Sequence, residues 1–276
     1  MSLFENQVVV VTGAGRGIGA ATARLFAAHG ASVVVNDLDA EPAQETADAI
    51  REAGGEAHAV AGSVTEDGFA EALLQEAVDT YGPLNVLVNN AGFTWDGMLH
   101  TMTDDQWQAV MEIHTFAPFR MIRAAAEHMR EPGKQELAAG GGFTQNRVIV
   151  NVSSTSGLHG NVGQANYATA KMGVVGLTKT VAKEWGRFGV RCNAVAFGYI
   201  DTRMTRSKDD GETATVGGRQ IAQGIPDAIR EQAMTANPLG RPGTAEEAAG
   251  GVVLMASPLA GYVTGHTLEV TGGAGI

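Results

Sequence analysis

Tyr167 and Lys171 stand four residues apart in 165–186, where apolar residues recur with helical spacing. A phenol and an ammonium therefore share one helix face and can reach one bound ligand. Ser154 follows the valine-rich run 148–152, thirteen residues before Tyr167. That places a hydroxyl at the carboxyl edge of a strand, where open α/β sheets bind ligands. Near the amino terminus, Thr12-Gly13-Ala14-Gly15-Arg16-Gly17-Ile18-Gly19 links the apolar run 8–11 to the helical segment 18–29. Glycines at such a turn permit positive φ and let the backbone approach a pyrophosphate, while the N–H groups opening the helix face the anion.

Asp37 ends the second valine-rich run, 24 residues beyond Gly13, where a carboxylate can accept hydrogen bonds from adenosine ribose hydroxyls. Arg16 could instead pair with the 2'-phosphate of NADP. The two can be weighed: a carboxylate facing a phosphate costs roughly 4 kcal/mol per unit charge pair at about 4 Å and an effective dielectric of about 20. One exposed arginine returns about 1 kcal/mol. The expected cofactor is therefore NAD(H) rather than NADP(H).

The elements that must position these groups are legible as an alternation. The runs 8–11, 32–35, 57–61, 86–88, 148–152 and 190–196 are short and rich in valine, as strands buried on both faces are. Between them, 18–29, 65–81, 103–130 and 165–186 carry helical periodicity. The pattern predicts an α/β fold of Rossmann type, a doubly wound parallel sheet of about seven strands with helices on both faces. Thr103 with Gln106 and Thr244 with Glu247 have the spacing of capping boxes at helix starts. No composition break marks a linker, so residues 1–276 read as a single domain. Two segments fall outside the alternation, 131–146 and 203–243; both read as surface loops, the second long enough to be a lid over the site.

Composition narrows the partners. The net charge of −11 is spread along the chain, which disfavours nucleic acid. No apolar run approaches the 18 or so residues of a membrane span, and Met1 begins no recognisable leader. Cys192 is the only cysteine and reads as a small buried hydrophobe. The seven histidines lack metal-ligand spacing. A cytoplasmic protein without metal or membrane partner is the expectation.

Together with Asn89-Asn90-Ala91-Gly92 after the fourth strand, the glycine loop, Ser154, Tyr167 and Lys171 make the chain resemble the short-chain dehydrogenase/reductase family from residue 7 onward. The resemblance implies a nicotinamide-dependent oxidoreductase acting on a carbonyl or secondary alcohol. Tyr167 would protonate or deprotonate the substrate oxygen and Ser154 would hold it. Lys171 would bind the nicotinamide ribose and lower the tyrosine pKa; moving a phenol from about 10 to about 7 needs roughly 4 kcal/mol. The cofactor would be lined by Gly13, Gly15, Arg16, Gly17, Ile18 and Gly19, by Asp37 and Leu38, by Ser63 and Val64, and by Asn90, Ala91 and Gly92. Ile200 and Thr202 would hold the carboxamide. A homotetramer is implied in the same way.

Three positions depart from the family's pattern. Ser63 replaces an aspartate, Phe197 replaces the proline of a Pro-Gly pair, and His114 replaces the asparagine whose main-chain carbonyl holds a water next to the lysine. Pro118 lies four residues after His114, so a kink is expected there that frees the His114 carbonyl, keeps His114 a candidate catalytic residue and makes Pro118→Ala more harmful than His114→Asn. The alternatives are that His114 is a packed helix residue with the water relay lost, or that its imidazole carries the proton.

The stretches 92–96, 163–167 and 239–242 look most like 3-oxoacyl thioester reductases, with a carrier protein or coenzyme A as the thiol. Met204, Ile221, Ile225, Ile229 and Met234 would line an apolar acyl site. The alternatives are a dehydrogenase of another secondary alcohol, such as a steroid or polyol, and a non-catalytic cofactor-binding subunit.

Overall fold

The computed structural model describes residues 2–207, 209, 213–216 and 219–275. Positions 208, 210–212, 217 and 218 of the expected lid lie outside the described residues. Seven parallel strands form one sheet: β1 (Val8–Val11), β2 (Ser32–Asp37), β3 (Glu56–Ala61), β4 (Leu84–Asn89), β5 (Arg147–Ser154), β6 (Val190–Phe197) and a last strand (Thr267–Val270). Their spatial order is β3-β2-β1-β4-β5-β6 followed by the last strand. The valine runs are strands because they are covered on both sides. Val9 and Val11 pack with Phe26, Ile50 and Val252 on one face, while Val8 and Val10 pack with Leu73, Met121 and Trp185 on the other.

The first face is covered by α1 (Gly17–Ala28), α2 (Ala40–Glu52) and the helix Ala245–Ala256. The second is covered by α3 (Phe69–Tyr81), by the long helical run that begins with α4 (Asp104–Met111) and by the helix Ala165–Trp185. Strand order reverses between β1 and β4, and a crevice opens beyond the carboxyl ends of the strands at such a switch point. Gly13 and Asn90 stand at those two ends. Both expected capping boxes form, each with reciprocal side-chain and backbone bonds. Cys192 is buried in β6, where burial pushes its thiol up to about 12.

Of the segment 131–146 only the glycine-bearing part 140–146 is the expected loop, since α6 (Glu131–Ala139) continues the helix through α5 (Ala117–Ala125). Two π-turns explain this. Residues Glu112–Phe116 and Ala126–Arg130 are π-helical, with the Ala117 and Glu131 N–H groups reaching back to the Glu112 and Ala126 carbonyls. Each register change comes just ahead of a proline, Pro118 or Pro132. The N–H that proline lacks is then not demanded by a regular ladder, and the helix runs on.

The segment 203–243 is likewise more than loop. It holds the antiparallel hairpin β7 (Thr213–Val216) and β8 (Arg219–Ala222), then the helix Asp227–Ala236. With β7 and β8 numbered, the last strand of the main sheet is β9. In the same order α7 is Thr155–His159, α8 is Ala165–Trp185, α9 is Asp227–Ala236 and α10 is Ala245–Ala256. No helix among the described residues is long and apolar enough to cross a membrane.

Candidate active site

The glycine loop is shaped by close backbone approach. Gly13 has φ +62°, and a Cβ there would meet the Ala91 Cα at 2.7 Å. One on Gly19 would lie 2.1 Å from the Gly13 carbonyl oxygen. Gly17, with φ +54°, meets nothing nearer than 3.9 Å, so the loop leaves a hollow beside the start of α1. Arg16 precedes α1 without capping it, which leaves the N–H groups of the first turn to face that hollow. Asn90 ties the loop to the end of β4, its amide donating to the Thr12 and Gly13 carbonyls at 2.9 and 3.0 Å. The Thr12 hydroxyl in turn accepts from the Asn90 and Ala91 N–H groups. Donors and hollow fit a pyrophosphate.

Asp37 closes the far end, its carboxylate accepting from the Gly15 N–H at 2.9 Å and the Asp39 N–H at 3.2 Å. The Arg16 guanidinium bonds the Asp39 carboxylate at 3.1 Å. A cavity of about 1060 Å³ runs from this end past Leu38, Ser63 and Val64 to Ser154, Tyr167 and Lys171, with Ile200 and Thr202 on its wall. All the residues expected to line the cofactor except Gly15 border it. Gly15 turns inward instead: a Cβ there would lie 2.8 Å from the Asp37 carboxylate.

At the other end, Ser154 finishes β5 and caps α7, its Oγ accepting from the Ser156 N–H. Helix α8 is anchored by the buried Asn166, whose amide donates to the Trp95 and Gln106 carbonyls at 3.1 Å. That fixes Tyr167 one residue on. Burial pushes the Tyr167 phenol up to about 12, the Ser154 hydroxyl pulling the other way and Asp96 adding to the rise. The Lys171 Nζ donates to the Val152 carbonyl at 2.7 Å and lies 5.6 Å from the phenol ring centroid. Desolvation therefore dominates at both groups.

Burial also pulls Lys171 down from 10.5 to about 7. A base whose folded value lies below its unfolded one binds fewer protons when folded, so stability rises with pH between those values and the penalty is full below about 7. Lys171→Met should therefore stabilise the nucleotide-free protein most at or below neutral pH, with the advantage fading towards pH 10.5. Urea unfolding of both proteins across that window checks this; a constant difference would contradict it.

His114 lies inside the first π-turn and is 2% exposed. Its Nε2 bonds the Phe93 carbonyl at 2.7 Å and its ring stands edge-on to Tyr167, 5.0 Å between centroids. Burial, then the nearby Lys171, hold the imidazole well below its ordinary value. A carbonyl only accepts, so Nε2 carries the hydrogen and Nδ1 is a bare acceptor, buried without a partner among the described residues. The expected kink at Pro118 takes the form of a π-turn, and His114, a candidate from the sequence, borders the cavity beside Tyr167.

Of the apolar residues expected from the lid, Met204, Ile225 and Ile229 border the large cavity. Ile221 faces a smaller cavity instead, and Met234 borders neither and is 37% exposed. Sequence reasoning missed two polar contributors, Gln164, which donates to Asp96 at 3.2 Å, and Gln223. Gln223 sits in no motif and only its burial marks it, while Gln164 falls in the stretch 163–167, which reads as a resemblance and not as part of the site.

The short chain dehydrogenase family matches residues 7–213. The chain belongs to that family and is an oxidoreductase of the CH–OH/C=O interconversion using a nicotinamide cofactor. It is 38% identical to the short-chain reductase protein NovJ of Streptomyces niveus, covering 99% of this chain and 95% of that one. It is 38% identical to the 3-oxoacyl-[acyl-carrier-protein] reductase FabG of Vibrio cholerae, over 98% of each chain. It is also 36% identical to the (3R)-3-hydroxyacyl-CoA dehydrogenase of Mus musculus, covering 98% of this chain and 96% of that one.

Proposed function

We propose that this protein reduces 3-oxoacyl thioesters to 3-hydroxyacyl thioesters and prefers NADH to NADPH. The observation that carries the substrate reading is the cavity wall: Met204, Ile225 and Ile229 give apolar surface to the same cavity that Ser154 and Tyr167 border. The names of the relatives point to the same reaction. In this reading the Ser154 hydroxyl orients the keto oxygen and the neutral Tyr167 phenol delivers its proton there. Lys171 would hold the nicotinamide ribose, and Asn90, Ala91 and Gly92, which border the same cavity, would line the cofactor. The bound nicotinamide supplies the hydride.

What supports NADH is the adenosine end. The Asp37 carboxylate borders the cavity at the end of β2, where it would repel a 2'-phosphate, and Arg16, the cation that could welcome one, already bonds Asp39. Fluorescence titration is expected to show tighter binding of NADH, with Asp37→Ala narrowing the gap; tighter binding of NADPH by the native protein would refute the preference. The substrate reading is tested by following nicotinamide oxidation against acetoacetyl thioesters of coenzyme A and carrier protein beside a set of steroid and polyol alcohols. Turnover confined to the alcohols would overturn it.

A further inference from the structure

A glutamine amide carries two donors and an acceptor, so burying one demands partners. Gln223, just after β8, is 1% exposed. Its Nε2 donates to the Thr94 carbonyl at 3.0 Å, and its Oε1 accepts from the Thr94 N–H at 3.5 Å. The side chain thus reads the Thr94 peptide much as a neighbouring strand would, and fastens the lid hairpin to the segment that follows β4. The Ile225 N–H, bonded to the Arg206 carbonyl at 2.9 Å, holds the same stretch from the other side.

Residues of this clasp border two cavities. Gln223 borders the large one, with Ile225 and Ile229. A second cavity of about 290 Å³ is walled by Gln223's chain neighbours Ala222 and Gly224 and by Trp95 and Ile221. Thr94, Asp96 and Gln220 border both. We infer that Gln223 is the end stop of the acyl site and sets the longest chain the enzyme accepts. The inference rests on the thioester reading above. Each methylene moved from water against an apolar wall is worth about fourfold in affinity. A chain that meets the Gln223 amide gains nothing from further methylenes, because passing it would strip the Thr94 peptide of its partners. Opening the clasp joins the cavities and lets Trp95 and Ile221 contact the chain end.

The test is kcat/KM for a homologous series of straight-chain 3-oxoacyl thioesters, from acetoacetyl upward, with the native protein and Gln223→Ala. Native activity should rise with length and then break. In Gln223→Ala the break should move to longer chains, the longest gaining at least about tenfold over the shortest, since two or more methylenes become bound. Adding Ala222→Trp, which refills the second cavity, should restore the native profile. NADH affinity, unchanged throughout, reports that the variants are folded; if Gln223→Ala is not, Gln223→Asn, whose amide is too short to span to Thr94, carries the same expectation. An unchanged profile in a folded variant would overturn the inference alone. A native protein that reduces no thioester of any length would overturn the thioester reading and the inference with it.

Discussion

Tyr167→Phe is expected to lower kcat at least about a hundredfold, the contribution of a positioned general acid, while NADH affinity stays at the native value. The phenol is placed by backbone rather than by its own hydroxyl: Asn166 pins the start of α8 to the Trp95 and Gln106 carbonyls, and the ring packs edge-on against His114. Phenylalanine keeps that packing, so the loss should appear in kcat with little change in KM. Burial, which pushes the phenol up to about 12, keeps it in the proton-bearing form that reduction needs. The native protein should hold its reductive kcat well into alkaline pH for that reason. Steady-state and single-turnover kinetics with NADH, beside a fluorescence titration of the nucleotide, read both halves. Native-like turnover in a folded Tyr167→Phe would remove Tyr167 from the chemistry.

Much of this arrangement is legible in the sequence because it is local. A valine run followed by a glycine-rich turn and a helix specifies its own geometry, and the four-residue spacing of Tyr167 and Lys171 puts them on one face wherever the helix lies. What was not legible depends on contacts between distant segments. Pro132 looks like a helix terminator until the π-turn before it is seen, and no local pattern announces a π-turn. Lys171 reads from the sequence as a charged partner of the phenol, but its depth in the fold, which pulls the ammonium down to about 7, cannot be read from spacing. Gln223 gives no signal at all: it belongs to no motif, and its partner Thr94 is 129 residues away.

The role of His114 is the sharpest case, since the kink expected from Pro118 ranks Pro118→Ala as more harmful than His114→Asn, and the geometry argues for the opposite order. The π-turn already relieves the helix of the bond Pro118 cannot make, so Pro118→Ala should be mild. The imidazole, by contrast, fills the place a side chain on residue 92 would occupy: a Cβ on Gly92 would lie 2.2 Å from the His114 Cε1. His114→Ala leaves the Phe93 carbonyl without its partner, costing about 1–3 kcal/mol, and lets the Asn90–Phe93 turn and the Tyr167 ring drift. A misplacement of about 1 Å lowers turnover on the order of a hundredfold. Gly92→Ala should do comparable damage by forcing the imidazole aside. The two changes should not add: with the ring gone, the methyl group introduced at position 92 enters vacated space, and His114→Ala/Gly92→Ala should be more active than Gly92→Ala alone. Rate measurements on the three variants decide it, since a role in proton transfer predicts that the double variant is no better than either single one. The acid limb of the native pH profile should also carry no step near 6.5, because burial and Lys171 keep this imidazole neutral.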